Sequence, residues 1–158
     1  MALRIRPQPA SGALDMRAMN YEELLRDQLS REISPELKGL LHRVIGCAIE
    51  VHRELGPGYF ERTYQLAMEA ELDAAGLRFQ SQAPLALSYK GRAVGEYRLD
   101  FVIDEKIVLE LKAVESLASI HIAQVVAYLK ATNLPVGLIL NFNVPVLVHG
   151  VRRVLPSR

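Results

Sequence analysis

AVGEYRLDFVIDEKIVLELKAV, residues 93–114, is the stretch that decides the fold. Residues 93–103 and Ile107–Val114 read as two strands, and Asp104-Glu105-Lys106 reads as the turn between them. Side chains alternate along a strand, so parity assigns faces. In the first strand the odd positions Gly95, Tyr97, Leu99, Phe101 and Ile103 are expected to share an apolar face, while the even positions carry Glu96, Arg98 and Asp100. In the second, Ile107, Leu109, Leu111 and Ala113 are apolar, and Glu110 and Lys112 fall between them. A three-residue loop sets Ile103 opposite Ile107. In that register both apolar faces agree, and Asp100 falls opposite Glu110.

Two carboxylates opposed in a sheet destabilise it unless something lies between them. A divalent cation removes the repulsion, and Mg²⁺ prefers carboxylate oxygens while keeping waters for substrate. The ammonium of Lys112, two residues on, is placed to orient a water or lower its pKa. An exposed strand face of alternating charge, with Lys112 neutralising Glu110, fits the same residues.

Outward from this hairpin, Leu85, Leu87 and Tyr89 alternate as a preceding strand, joined by a tight turn at Lys90-Gly91. Upstream, Ser34 caps and Pro35 opens a helix whose apolar positions Leu37, Leu41, Val44, Ala48, Val51 and Leu55 recur in steps of four and three. Gly56-Pro57-Gly58 ends it. A second helix is expected from about Tyr59 to Ala75, with Phe60, Tyr64, Ala67, Met68 and Leu72 buried and Gly76 as its stop. Glu61, in its first turn, lies beside that stripe and reads as semi-buried, although a helix N-terminus favours a carboxylate in any case.

Downstream, a helix runs from Ser116–Ser119 to about Ala131. His121, Gln124 and Tyr128 form one polar face of it, suited to a phosphate groove or to solvent. Val136 to Leu140, bounded by Pro135 and Asn141, suits a buried strand, and Val144 to His149 an edge strand. The short turns make a three-stranded antiparallel meander. The strand–helix–strand step then adds a parallel neighbour. The fold class is α/β, a mixed sheet flanked by helices.

The chain has 158 residues, half of them apolar or aromatic, which suits about one domain. Residues 1–33 read as an N-terminal extension, partly helical over Tyr21–Arg31 with Asn20 and Glu23 as a capping box; residues 34–158 form the domain. The extension is expected to pack on the body or on a second subunit, so a homo-oligomer is open. No stretch reaches the roughly 18 consecutive apolar residues of a membrane helix, so no membrane partner is expected. No secretory signal opens the sequence, which points to a cytoplasmic location. The single cysteine, Cys47, excludes an internal disulfide and a cysteine-ligated zinc site, and reads as a small buried hydrophobe. His52 reads as a satisfied core histidine. The net charge of +1 gives no support by itself for a nucleic-acid partner. Arg152, Arg153 and Arg158 read as a local basic surface or a solvated tail.

Several words resemble one family. Gly58-Tyr59-Phe60-Glu61-Arg62-Thr63-Tyr64 fits the signature of the GxxExxY proteins. So do VHRELGPG (51–58), YKGRAVGEYRLDF (89–101), VLELKAV (108–114), AQVVAYLKATN (123–133) and GLILNF (137–142). The similarity spans about Leu37 to Val154. It implies the PD-(D/E)XK nuclease superfamily and a restriction-endonuclease-like fold. It also implies a hydrolase that uses Mg²⁺ or Mn²⁺ on nucleic acid, DNA in preference to RNA. Asp100, Glu110 and Lys112 then stand as the D…ExK centre, and Glu61 as the further acid from an upstream helix. The Leu111 carbonyl stands as an added metal ligand. Gln124 and Tyr128 fit the QxxxY motif of the RecB-type branch, with His121 beside them on the substrate side. Leu99 occupies the place where the superfamily motif usually has proline. A catalytically silent nucleic-acid-binding or regulatory module on the same fold is the alternative.

Overall fold

The computed structural model describes residues 31–157. Helix α1 spans Pro35–Leu55, α2 Glu61–Ala74 and α3 Ser119–Thr132. Strands β1 Phe79–Tyr89, β2 Arg92–Ile103, β3 Ile107–Lys112, β4 Val136–Asn141 and β5 Val151–Val154 form one sheet in sequence order. The β3–β4 pair is parallel and the others are antiparallel. The meander, the crossover and the flanking helices are as the sequence leads one to expect. The expected helix at Tyr21–Arg31 lies outside the described residues except for Arg31, which is not helical.

Local chemistry sets the boundaries. The Ser34 Oγ accepts the Leu37 N–H at 3.2 Å, and Pro35 follows at the first helical position. Gly56 closes α1 at φ +68°, donating its N–H to the His52 carbonyl at 2.8 Å. His52 is buried, with Nε2 2.8 Å from the Val144 carbonyl, and Cys47 is buried as expected. All six residues of β4 are buried, as befits a central strand covered on both faces.

Two apolar clusters sandwich the sheet. Leu37, Val44, Val51, Tyr64, Met68 and Leu72 of α1 and α2 pack against Phe101, Ile103, Ile107, Leu109 and Leu111. Ile122, Val125, Tyr128 and Leu129 of α3 pack against Ala83, Leu85, Leu99, Val102 and Val108. No helix among the described residues is long and apolar enough to cross a membrane.

Three expectations are corrected. Phe60 is not in the α2 stripe. The helix starts at Glu61, two residues later than expected, with Phe60 as its extended N-cap, and Phe60 is 87% exposed. Leu99 does not share a face with Phe101 and Ile103 but belongs to the α3 side. The cause lies across the ladder. Gln82 has φ +50°, and the β1–β2 pairing steps from Ser81↔Phe101 to Ala83↔Leu99 with Gln82 and Asp100 left out. Both strands turn over at that point, so parity does not carry through Asp100.

Residues Val144 to His149 do not form the edge strand either. Leu147–Gly150 is a 3₁₀ turn, and the edge strand is Val151–Val154, which takes in Arg152 and Arg153. These two arginines are therefore not a solvated tail. Arg153 donates to the Arg31 carbonyl at 2.9 Å. Gly150 makes the tight turn feasible, since a Cβ there would lie 2.0 Å from the Asn141 carbonyl oxygen, a backbone atom that cannot step aside. Gly150→Ala should destabilise the domain by roughly 1–3 kcal/mol or more. Urea denaturation would show this as a lower midpoint, whereas an unchanged midpoint would contradict the packing.

Candidate functional site

The β2–β3 register is the expected one for as long as the strands pair: Ile103↔Ile107, Val102↔Val108 and Phe101↔Leu109. The Asp104-Glu105 turn holds it, with φ +49° and +54°. Beyond Leu109 the ladder stops and side chains replace backbone partners. The Glu110 Oε1 accepts the Asp100 N–H at 3.2 Å, and the Asp100 Oδ2 accepts the Leu111 N–H at 2.8 Å. Each carboxyl thus spends one oxygen on the opposite strand, and the Asp100 charge acts directly on the Glu110 carboxyl. Asp100 and Glu110 are brought together where the strands diverge.

The environment is not that of a solvated face. Glu110 is 5% exposed. Burial, and then the Asp100 charge, push its carboxyl up to about 8, while the Asp100 N–H and the Lys112 charge pull the other way. A buried Glu110 beside a half-buried Asp100, each with one oxygen outside the backbone bonds, is a donor set that fits a hard dication.

Lys112 extends the cluster towards α3. Its Nζ donates to the Gln124 Oε1 at 3.5 Å, and the Gln124 Nε2 donates to the Tyr128 hydroxyl at 2.9 Å. Burial, and then the charge of Glu110, raise the Tyr128 phenol above its usual range. His121 shares this helix face, and its Nδ1 accepts the Ala118 N–H at 3.0 Å at the start of α3. The end of β3 is clamped by Asn141. Its Oδ1 accepts the Val114 N–H at 3.1 Å and its Nδ2 donates to the Val114 carbonyl at 2.9 Å.

Glu61 is placed differently. It is exposed in the first turn of α2 rather than semi-buried. Among the described residues no three His, Cys, Asp or Glu side chains come together as a metal cluster. The α2 residue that does reach the site is Gln65, one turn on. It is buried, and its Nε2 donates to the Asp100 carbonyl at 3.4 Å and to Glu69 at 3.3 Å. The Gln65 Oε1 is buried without a partner among the described residues. Asp100, which leaves the β1–β2 ladder, therefore has its backbone held by two side chains, Gln65 and Glu110. The available signal was a glutamine one helical turn after Glu61 and next to the buried Tyr64.

A family model described as the PD-(D/E)XK nuclease superfamily matches residues 38–154. No curated protein and no solved structure matches the chain. Among the described residues, the five-stranded mixed sheet and three α-helices agree with the α/β restriction-endonuclease-like fold of such a family.

Proposed function

The chain belongs to the PD-(D/E)XK nuclease superfamily, and from that premise we propose that it is a divalent-metal-dependent nuclease that hydrolyses phosphodiesters in DNA. Within that group it is proposed to be one of the GxxExxY proteins, with Gln124 and Tyr128 as a QxxxY pair and residues 34–158 as the nuclease domain. The observation that carries this reading is the contact of Asp100 with the buried Glu110 where the β2–β3 ladder ends.

Asp100, Glu110 and the Leu111 carbonyl would hold Mg²⁺ or Mn²⁺, with Glu61 joining through water from the first turn of α2. When bound, the dication supplies charge neutralisation and Lewis-acid polarisation of the phosphate. Lys112 positions the attacking water, and Gln124 holds the ammonium in place. The water oxygen bonds to phosphorus, the ester P–O bond breaks, and the proton that the water gives up ends on the leaving oxygen. Gln124, Tyr128 and His121 steady the strand along α3. Gln65 fixes Asp100 through its carbonyl.

The test is cleavage of single-stranded, duplex and branched DNA with Mg²⁺ or Mn²⁺, with chelator as control. Metal-dependent cutting supports the reading. Salt-dependent DNA binding that ignores metal, with no cutting, favours a silent binding module instead. The raised Glu110 carboxyl adds a second signature. It is protonated below about 8 in the metal-free protein, so metal binding at pH 7 should release about one proton. Affinity should rise with pH up to about 8 and then level off. Calorimetry in two buffers of different ionisation enthalpy measures this, and tight binding without proton release would contradict it.

A further inference from the structure

The β1–β2 hairpin extends far beyond the site. β2 pairs with β3 only over Phe101–Ile103, so residues 84–98 form a two-stranded arm. Within the arm stand Lys90, Arg92 and Arg98 against a single acid, Glu96, all exposed. Tyr89 is 62% and Tyr97 44% exposed.

Two irregularities sort these residues by face. Leu87 opposes Gly95 while Ser88 opposes Ala93, so Val94 is an extra residue in β2. The bulge reverses parity and sets Arg92 opposite Tyr89, on the face of Leu85, Leu87 and Tyr97. In an unbulged strand Arg92 would share the other face with Glu96 and Arg98. The second irregularity is Gly95. A Cβ there would lie 3.0 Å from the Tyr97 Cε2, so the ring lies across the glycine, and Tyr97 keeps 44% of its surface exposed. The Tyr97 centroid is 6.2 Å from that of Tyr128, which the Gln124 bond links onward to Lys112. Farther out, the Lys90 Nζ sits 5.3 Å over the Tyr89 ring. Tyr89 is four residues along β1 from Leu85, the partner of Tyr97, or about 13 Å.

We propose that this face of the arm is a binding track for single-stranded nucleic acid, with Tyr97 and Tyr89 stacking bases and Lys90 and Arg92 meeting phosphates. Exposed rings need unstacked bases, which a duplex does not offer, and the cations match the backbone charge. The proposal rests on the nuclease reading for its direction, leading the strand to Lys112, but the track binds without metal.

The experiment is fluorescence anisotropy in chelator with labelled oligodeoxythymidylate, oligouridylate and a duplex. A single strand should bind more tightly than the duplex, and the better of the two names the preferred sugar. Tyr97→Ala and Tyr89→Ala should each weaken that binding roughly 5- to 150-fold, with Tyr97→Phe close to wild type. Arg92→Ala should flatten the salt dependence by about 0.7 in the log–log slope. Arg98→Ala, on the opposite face, should change neither. Preference for duplex, no binding of either single strand, or wild-type behaviour in Tyr97→Ala and Arg92→Ala would overturn the track. Calorimetric Mg²⁺ binding, run on the same proteins, keeps the two ideas apart. A wild type that grips single strands but no metal retains the track and removes the nuclease, and the reverse result removes only the track.

Discussion

Glu110→Gln is expected to weaken divalent-metal binding by more than about 100-fold and to abolish strand cleavage. Loss of a mere partner of a metal ligand typically costs ~10–100-fold, so loss of a ligand oxygen's charge should exceed that range. The amide oxygen still accepts the Asp100 N–H that Glu110 Oε1 now accepts, so the fold is kept. Stability should move in the opposite direction. The Glu110 carboxyl is pushed up to about 8, by burial first and by Asp100 second. A group whose folded pKa lies above its unfolded value stabilises fully below the unfolded pKa, and that contribution is lost as pH rises through the folded one. The metal-free wild type should therefore lose stability between about pH 5 and pH 8, and the Gln variant should lose less. Above pH 8 the variant should be the more stable, by an amount on the order of a few kcal/mol. Calorimetric metal titration and urea denaturation at pH 5, 7 and 9 measure both effects. Retained metal affinity, or parallel pH–stability curves, would contradict the buried Glu110 and its neighbour Asp100 as the site.

Lys112→Ala should lower the single-turnover cleavage rate by roughly 10²–10⁴-fold, the usual contribution of a positioned proton-transfer or charge-stabilising group. Metal affinity should hold or rise slightly, because the variant removes a positive charge from beside a cation site. This split separates Lys112 from the carboxylates, whose loss removes metal and rate together. Gln124→Ala should show a smaller loss of the same kind, since it frees the ammonium held at 3.5 Å without removing it. Rapid-quench cleavage alongside calorimetry measures both quantities. Equal rates in wild type and Lys112→Ala would mean that the cutting comes from elsewhere.

The hairpin was legible because its short turn leaves only one register that keeps both apolar faces together. Ile103↔Ile107 through Phe101↔Leu109 follow from residues 103–107 alone. The α1 cap and stop were legible for the same local reason, since Ser34, Pro35 and Gly56 each have one good backbone role there. What parity missed is the turnover at Asp100. It depends on the left-handed Gln82, on another strand, and glutamine does not announce such a conformation as glycine would. That turnover sends Leu99 to the α3 side and leaves the Asp100 backbone to Gln65 and Glu110. Gln65 escaped notice because a polar residue on an amphipathic helix reads as solvent-facing until its partner is known. The run Val144–His149 reads as the edge strand because it is more apolar than Val151–Val154, which carries Arg152 and Arg153. Only the close approach of Gly150 to Asn141 decides where the chain bends.

Anomalous diffraction from a crystal soaked in Mn²⁺ is the most direct examination of the central claim. The expected result is one strong peak in contact with both an Asp100 and a Glu110 carboxyl oxygen, with Lys112 alongside and the β2–β3 register unchanged. A crystal that takes up manganese elsewhere while Asp100 and Glu110 keep only their bonds to the Leu111 and Asp100 N–H groups would contradict it.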